Sequence, residues 1–192
     1  MKVLVIPEDP THDQYVLKPI VQRIFNDLER SPRLEVLWNP RLRGVDQALD
    51  PTLAAEIVLQ YPMVDLFLIL VDRDGDRERR PVEARALELS QDGRLFVCLA
   101  IEEVEVWMLA IHRQVLPAPW SEVREEIHPK ERFAAPFLAA HAPKANPGGG
   151  RKWAMRQLGA RWQGVLRICP ELAELKDRIA AWLEARPVRG AG

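Results

Sequence analysis

Apolar residues in this chain fall into short blocks, and the blocks differ in period. Residues 2–7 (KVLVIP), 34–38 (LEVLW), 65–71 (DLFLILV) and 95–100 (LFVCLA) are brief runs of branched and leucine-rich side chains. Continuous apolarity over so short a length predicts strands buried on both faces. Between them the period becomes helical. Tyr15, Val16, Ile20, Ile24 and Leu28 predict a helix running to about Arg30, opened by Thr11 and Gln14 as a capping box, with Pro19 early in it. Residues 39–49 read as a loop broken by Pro40 and Gly44. Asp50-Pro51 supplies an N-cap and a first-turn proline for a helix that ends before Pro62. Residues 77–91 and 102–113 read as two further helices.

This alternation predicts an α/β fold: a parallel, Rossmann-like sheet with helices on both faces, joined by right-handed crossovers. The pattern then changes. Residues 116–147 are rich in proline, histidine and alanine, with broken helical pieces. Gly148-Gly149-Gly150 precedes a helical stretch over 151–168, and residues 170–186 form a last helix with Leu172, Leu175, Ile179 and Leu183 on one face. The expected organisation is an α/β core over 1–115 and a helical C-terminal extension over 116–192 packed on it.

Composition adds exclusions. With 47% apolar and 29% charged residues the chain is globular rather than disordered. A formal net charge of -1 leaves no global basic field, so any contact with nucleic acid must come from a local patch. Cys98 and Cys169 lack metal-ligand spacing, and Cys98 sits in an apolar run as a small buried hydrophobe. The four histidines, His12, His112, His128 and His141, contain no pair at zinc-binding helix spacing and read as surface or structural residues. No apolar run approaches the roughly 20 residues needed to cross a bilayer, and no secretory segment opens the sequence, so a cytoplasmic protein without membrane contact is expected.

The chemistry-bearing signal is acidic. Glu8-Asp9 follows the first strand, Asp72-Arg73-Asp74 follows the most apolar one, and Glu102, Glu103 and Glu105 follow the last. In open α/β sheets ligands bind beyond the carboxyl ends of the strands. Carboxylates crowded there raise one another's pKa, a penalty that a cation removes. Oxygen ligands of this kind suit Mg²⁺. In an extended Asp-x-Asp segment both side chains point the same way and can reach one ion. The bland alternative is a set of solvated turn residues, and Asp76 and Glu78 are read so. An EF-hand is excluded because a strand precedes Asp72 where that motif needs a helix.

These residues resemble a known pattern. Val5-Ile6-Pro7-Glu8 with Thr11, then Ile69-Leu70-Val71-Asp72-Arg73-Asp74, then the segment Ala100 to Ala110 (AIEEVEVWMLA) and His128-Pro129-Lys130 look like the Toprim-like DUF4276 family, related to the Toprim domains of topoisomerases, primases and OLD-type nucleases. The resemblance covers roughly residues 3–132. It implies a Toprim-like fold in which Glu8, Asp72 and Asp74 hold Mg²⁺ or Mn²⁺, with Glu8 as general acid or base and Glu105 as a further acid. The implied activity is metal-dependent, nuclease-like cleavage of phosphodiester bonds, in the setting of defence against foreign DNA. Asp9-Pro10 stands where the family has glycine, and His12-Asp13 where a single acid is usual, so the substrate pocket is expected to differ in shape. Tyr15 and Tyr61 are not placed for topoisomerase chemistry, and an ATP-driven version would need a partner ATPase or a homo-oligomer.

Lys130, Lys144, Arg151 and Lys152 are candidate phosphate contacts, with free N–H groups of Gly148–Gly150 beside them. The segment lacks the P-loop form, and a flexible linker with solvated charges is the alternative. Arg73 either faces solvent or reaches a phosphate. Trp107 is expected in the core; Trp153 and Trp162 either stack on bases or pack internally. Two other functions stay open: a non-catalytic module holding a metal and a nucleotide or nucleic acid, and an interaction protein whose acidic edge meets a basic partner.

Overall fold

The computed structural model describes residues 1–143 and 146–185; Lys144 and the end of the last helix at Arg186 lie outside the described residues. Four strands, β1 (Lys2–Ile6), β2 (Arg33–Val36), β3 (Leu66–Asp72) and β4 (Leu95–Ala100), form one all-parallel sheet in the order β2-β1-β3-β4. Ten α-helices accompany it among the described residues, besides short 3-10 and π turns: α1 (Gln14–Asp27), α2 (Val45–Ala48), α3 (Pro51–Gln60), α4 (Arg79–Ser90), α5 (Glu105–Ile111), α6 (Trp120–Glu125), α7 (Ala135–His141), α8 (Arg151–Ala154), α9 (Leu158–Ile168) and α10 (Pro170–Ala185).

Period-two geometry divides each strand between two cores. Val3, Val5, Leu66, Leu68 and Leu70 face α1, α5, α9 and α10, whereas Leu4, Ile6, Phe67, Ile69 and Val71 face α2, α3 and α4. The side chains from Leu66 to Val71 are at most 1% exposed, and each such burial contributes about 1.5–3 kcal/mol. That explains why the central strands carry apolar residues without alternation. The C-terminal helices are continuous with the sheet's first core, through Trp162, Val165, Leu172, Leu175 and Ile179.

Strand order reverses between β1 and β3. The helix after β1 covers one face and the helix after β3 the other, which opens a crevice at the carboxyl ends of these two strands. At the outer edge of β4, Glu88 accepts from the Val97 N–H at 2.6 Å and Arg178 donates to the Val97 carbonyl at 3.2 Å. Arg178 also pairs with Glu88 at 2.6 Å and lies over the Phe96 ring.

Several boundaries differ from the sequence reading for local reasons. Asp50 caps α3 as expected, accepting from Leu53 N at 2.8 Å. Thr11 does not cap α1: its N–H is taken by Asp9 at 2.8 Å, Asp13 occupies the N-cap position, and Pro19 lies inside the helix. Residues 45–48 form a short helix within the expected loop. The helix expected from 102 begins at Glu105, because Glu102 adopts a left-handed φ of 68°. The stretch over 151–168 breaks into α8, a 3-10 turn and α9.

Candidate functional site

Glu8 lies just past β1 and Asp72 closes β3, so both stand at the crevice. The Asp72 backbone N–H donates to Glu8 Oε1 at 3.0 Å, and the Asp72 carboxylate accepts from Val104 N at 2.8 Å. Asp72 is thereby suspended between the first strand and the start of α5. Asp13, at the head of α1, accepts from Asp9 N at 3.0 Å, and Glu105 is buried in the first turn of α5. Carboxylates from four separate elements meet at one edge.

Their protonation records the crowding. Burial pushes the Asp72 carboxyl up to about 9, helped by the charges of Glu8, Glu105 and Asp13. Burial also raises Glu8 to about 7, opposed by the Asp72 N–H and reinforced by Asp74 and Asp13. Asp13 rises to about 6, again mainly through burial, with Glu105 and Asp9 adding to it. The compensating cations are few. Arg151, itself buried, donates to Glu105 through Nη2 and through Nε at 3.2 Å, and its Nη1 reaches the Gly148 carbonyl at 3.1 Å. Lys130 is exposed. Burial lowers its pKa, but Glu105, Glu103 and Asp72 outweigh this and hold the ammonium above its usual value.

Asp74 is placed differently from the expectation. The strand ends at Asp72, and Asp74 takes a left-handed φ of 52° on an exposed turn, so the side-by-side geometry of an extended Asp-x-Asp does not apply. Its charge still acts on Glu8. Arg73 faces neither solvent nor the site: it turns inward and donates to the fully buried Glu102. Glu102 also accepts from Gly75 N at 2.7 Å and from Arg77 at 3.4 Å, while its carbonyl accepts from Arg73 N at 2.9 Å and Asp74 N at 3.3 Å. One buried carboxylate thus shapes the whole turn that follows Asp72.

The glycine triplet is neither a loose linker nor an open cradle. A Cβ on Gly148 would meet the Tyr15 ring at 2.3 Å, and one on Gly150 would meet the Ala142 methyl at 2.5 Å. All three glycines have positive φ, which lets the chain turn tightly and deliver Arg151 to Glu105. Lys152 is exposed on α8, and Trp107 and Trp162 are buried as core residues.

Among the described residues, one set of three side chains brings its ligand atoms all within 4.8 Å of one another, namely Glu103, His128 and Glu131. Burial raises the Glu103 pKa, and its carboxylate accepts from Lys130 N at 2.6 Å. Mixed imidazole and carboxylate donors suit transition metals; the carboxylates of Glu8, Asp72 and Asp13, whose oxygens do not all lie within 4.8 Å of one another, are the oxygen-only donor type that Mg²⁺ or Mn²⁺ takes. In the sequence Asp13 stood out only as a departure from the Toprim-like pattern and Glu102 only as one of three acids after the last strand; neither role was read, nor was the pairing of Glu103 with His128. Asp13 carried a usable signal, an acid at a helix head five residues after Glu8, whereas the other two depend on how β4 turns into α5. Comparison of the chain with models of known protein families, with curated proteins and with solved structures gives no match.

Proposed function

We propose that the carboxylates at the β1/β3 crevice hold Mg²⁺ or Mn²⁺ and that the chain cleaves phosphodiester bonds in nucleic acid, as a nuclease-like enzyme. The observation that carries this reading is the bond from the Asp72 backbone N–H to Glu8, which ties the acid just after β1 to the acid that ends β3 in a half-buried site. A pair held so close, with Asp13 and Glu105 nearby, is short of positive charge. The donor set consists of oxygen atoms, in keeping with a hard divalent cation. When bound, such an ion supplies charge neutralisation and an acidified water. Glu8, raised to about 7, can take or give a proton near neutral pH. Lys130, held charged by its acidic neighbours, attracts a phosphate to the rim. The resemblance of these segments to Toprim-like proteins points the same way and brings with it the setting of defence against foreign DNA, a cytoplasmic location and a partner ATPase or second copy.

A second reading is favoured by one observation. Arg73 and Arg151 are committed to Glu102 and Glu105 rather than free for a substrate phosphate. A non-catalytic module that holds an ion and a nucleotide needs fewer free cations. Incubation of labelled DNA and RNA with Mn²⁺, beside an EDTA control, separates the two. Hydrolysis that falls at least about 100-fold in Asp72→Asn supports the enzyme. Thermal stabilisation by Mn²⁺ without hydrolysis leaves the binding module.

Among the described residues no helix is long and apolar enough to cross a membrane.

A further inference from the structure

Away from the carboxylates, two clefts meet on the surface formed by the end of α5 and by α9. One, of about 290 Å³, is bordered by Arg113, Arg161 and Arg167 together with Gln114 and Gln163. The other, of about 310 Å³, shares Ile111, Gln114 and Arg161 with the first and is lined by Trp153, Phe137 and His141. Neither lining contains a carboxylate, in a chain with 28 acidic residues. Arg113, Arg161 and Arg167 are exposed, and none is ion-paired among the described residues, although most other arginines at clefts here hold an acid.

The floor of the first cleft is built for close approach. Ala160, Gln163, Gly164 and Arg167 recur along one face of α9, and a Cβ on Gly164 would meet nothing within 4 Å. A helix-interior glycine costs stability relative to alanine, and no internal packing requires it at this position. The second cleft supplies rings. His112 and Trp153 are stacked with an interplanar angle of 6°, and Phe137 tilts against both. Trp153 remains partly exposed at the cleft and His141 is exposed beside it.

We propose that this surface binds single-stranded nucleic acid, with Arg113, Arg161 and Arg167 on the phosphates and a base lodged against Trp153 and His141. Guanidinium groups without acid partners, Arg161 at the aromatic cleft and Arg113 and Arg167 at the adjoining one (Arg167 Nε donates to the Gln163 carbonyl at 3.2 Å), are what a flexible polyanion of flat bases recognises. A lipid surface would instead need cations and apolar side chains on a protruding face. The groove also lies near the acids. Ile111 in its wall and Glu105 at the crevice are the two ends of α5, about 9 Å apart along the helix axis. The inference goes beyond the hydrolytic reading, because it concerns binding that needs no metal.

The test is fluorescence anisotropy of the full chain with labelled oligo-dT of about a dozen nucleotides, within the site sizes of single-strand binding folds, in EDTA. The wild type should bind, with an affinity that falls as salt rises. Arg113→Glu/Arg161→Glu/Arg167→Glu should weaken binding at least ten-fold and lower the slope of log affinity against log salt by about 2, from three lost phosphate contacts. Because charge reversal can perturb folding, the three Gln replacements serve as a milder version, checked by circular dichroism. Binding is read in EDTA, where the metal-dependent hydrolysis is absent, so loss of binding and loss of hydrolysis report on different sites. The proposal is overturned if the wild type ignores oligo-dT at low salt, if the triple variants bind unchanged, or if a duplex or phosphatidylserine vesicles compete better than the single strand.

Discussion

Glu8 and Asp72, 64 residues apart in sequence, are joined by a hydrogen bond from the Asp72 N–H to the Glu8 carboxylate at 3.0 Å. The bond runs between neighbouring parallel strands at the point where the helices that follow them diverge to opposite faces. It brings an acid raised to about 7 beside one raised to about 9.

The first prediction concerns pH. In the unfolded chain Asp72, Glu8 and Asp13 lose their protons near ordinary carboxylate values, whereas in the fold they hold them up to about 9, 7 and 6. The folded state therefore binds more protons across this window. These three groups should make metal-free stability fall as pH rises from about 4 towards 9, a fall that His112, its pKa lowered by burial, opposes at about pH 6. Urea denaturation in EDTA at a series of pH values measures it. Asp72→Asn should flatten the fall between pH 7 and 9, and Mn²⁺ should raise wild-type stability most at high pH, where it displaces the fewest protons. A wild-type profile that climbs over the same window contradicts the assignment.

The second concerns the buried pair of Arg151 and Glu105. Removing one partner leaves the other charge buried without compensation, at a cost of about 3–5 kcal/mol. Arg151→Met alone should reach that range, while Arg151→Met with Glu105→Gln should recover much of the loss. Chemical denaturation of the two single variants and the double variant gives the coupling.

The third concerns Gly148. Alanine there meets the Tyr15 ring and must hold a φ of 66°. Overpacking and left-handed backbone together should cost roughly 2–4 kcal/mol. Adding Tyr15→Ala should relieve the steric part and leave the backbone part, seen as a partial recovery in thermal melts.

Legibility of the chain follows the range of the interactions. The four strands and the capped start at Asp50 were readable because apolar runs and capping are local. The Glu8–Asp72 meeting was readable at one remove, since strand ends in a parallel sheet share an edge. The roles of Arg73 and Glu102 were not. Arg73 read as a cation facing either solvent or a phosphate because its true partner lies 29 residues on, held by a left-handed backbone that glutamate rarely adopts. The glycine triplet, read as a phosphate cradle or a flexible linker, was hidden for the same reason: the Tyr15 ring that confines Gly148 lies at the other end of the sequence.

Glu102 yields a fourth prediction. Replacing it with Gln keeps the shape but removes a charge-assisted acceptor, worth about 1.5–3 kcal/mol per bond. Amide exchange at Gly75, whose N–H it accepts at 2.7 Å, should accelerate by ten-fold or more, and faster than at the core strand β3. Equal acceleration at both would mean global destabilisation instead of a released turn.

On α9, Gly164→Ala should stabilise the protein by about 0.5–1 kcal/mol, since the new methyl meets open space and the helix gains propensity. Thermal melts of the variant read this directly. A bulky Gly164→Leu should leave stability close to the alanine value while obstructing the groove.

A strand added alongside β4 would need the Val97 N–H and carbonyl, and both already belong to Glu88 and Arg178. An incoming chain would have to prise the two charges apart and leave the buried Glu88 carboxylate with only Arg85, at 3.4 Å, as its cation. On this side the sheet is sealed against recruitment of further strands, which guards an apolar border from the edge-to-edge stacking that seeds amyloid. Copies of the chain that associate here would do so through helical side chains, and the sheet would stay discontinuous across their contact.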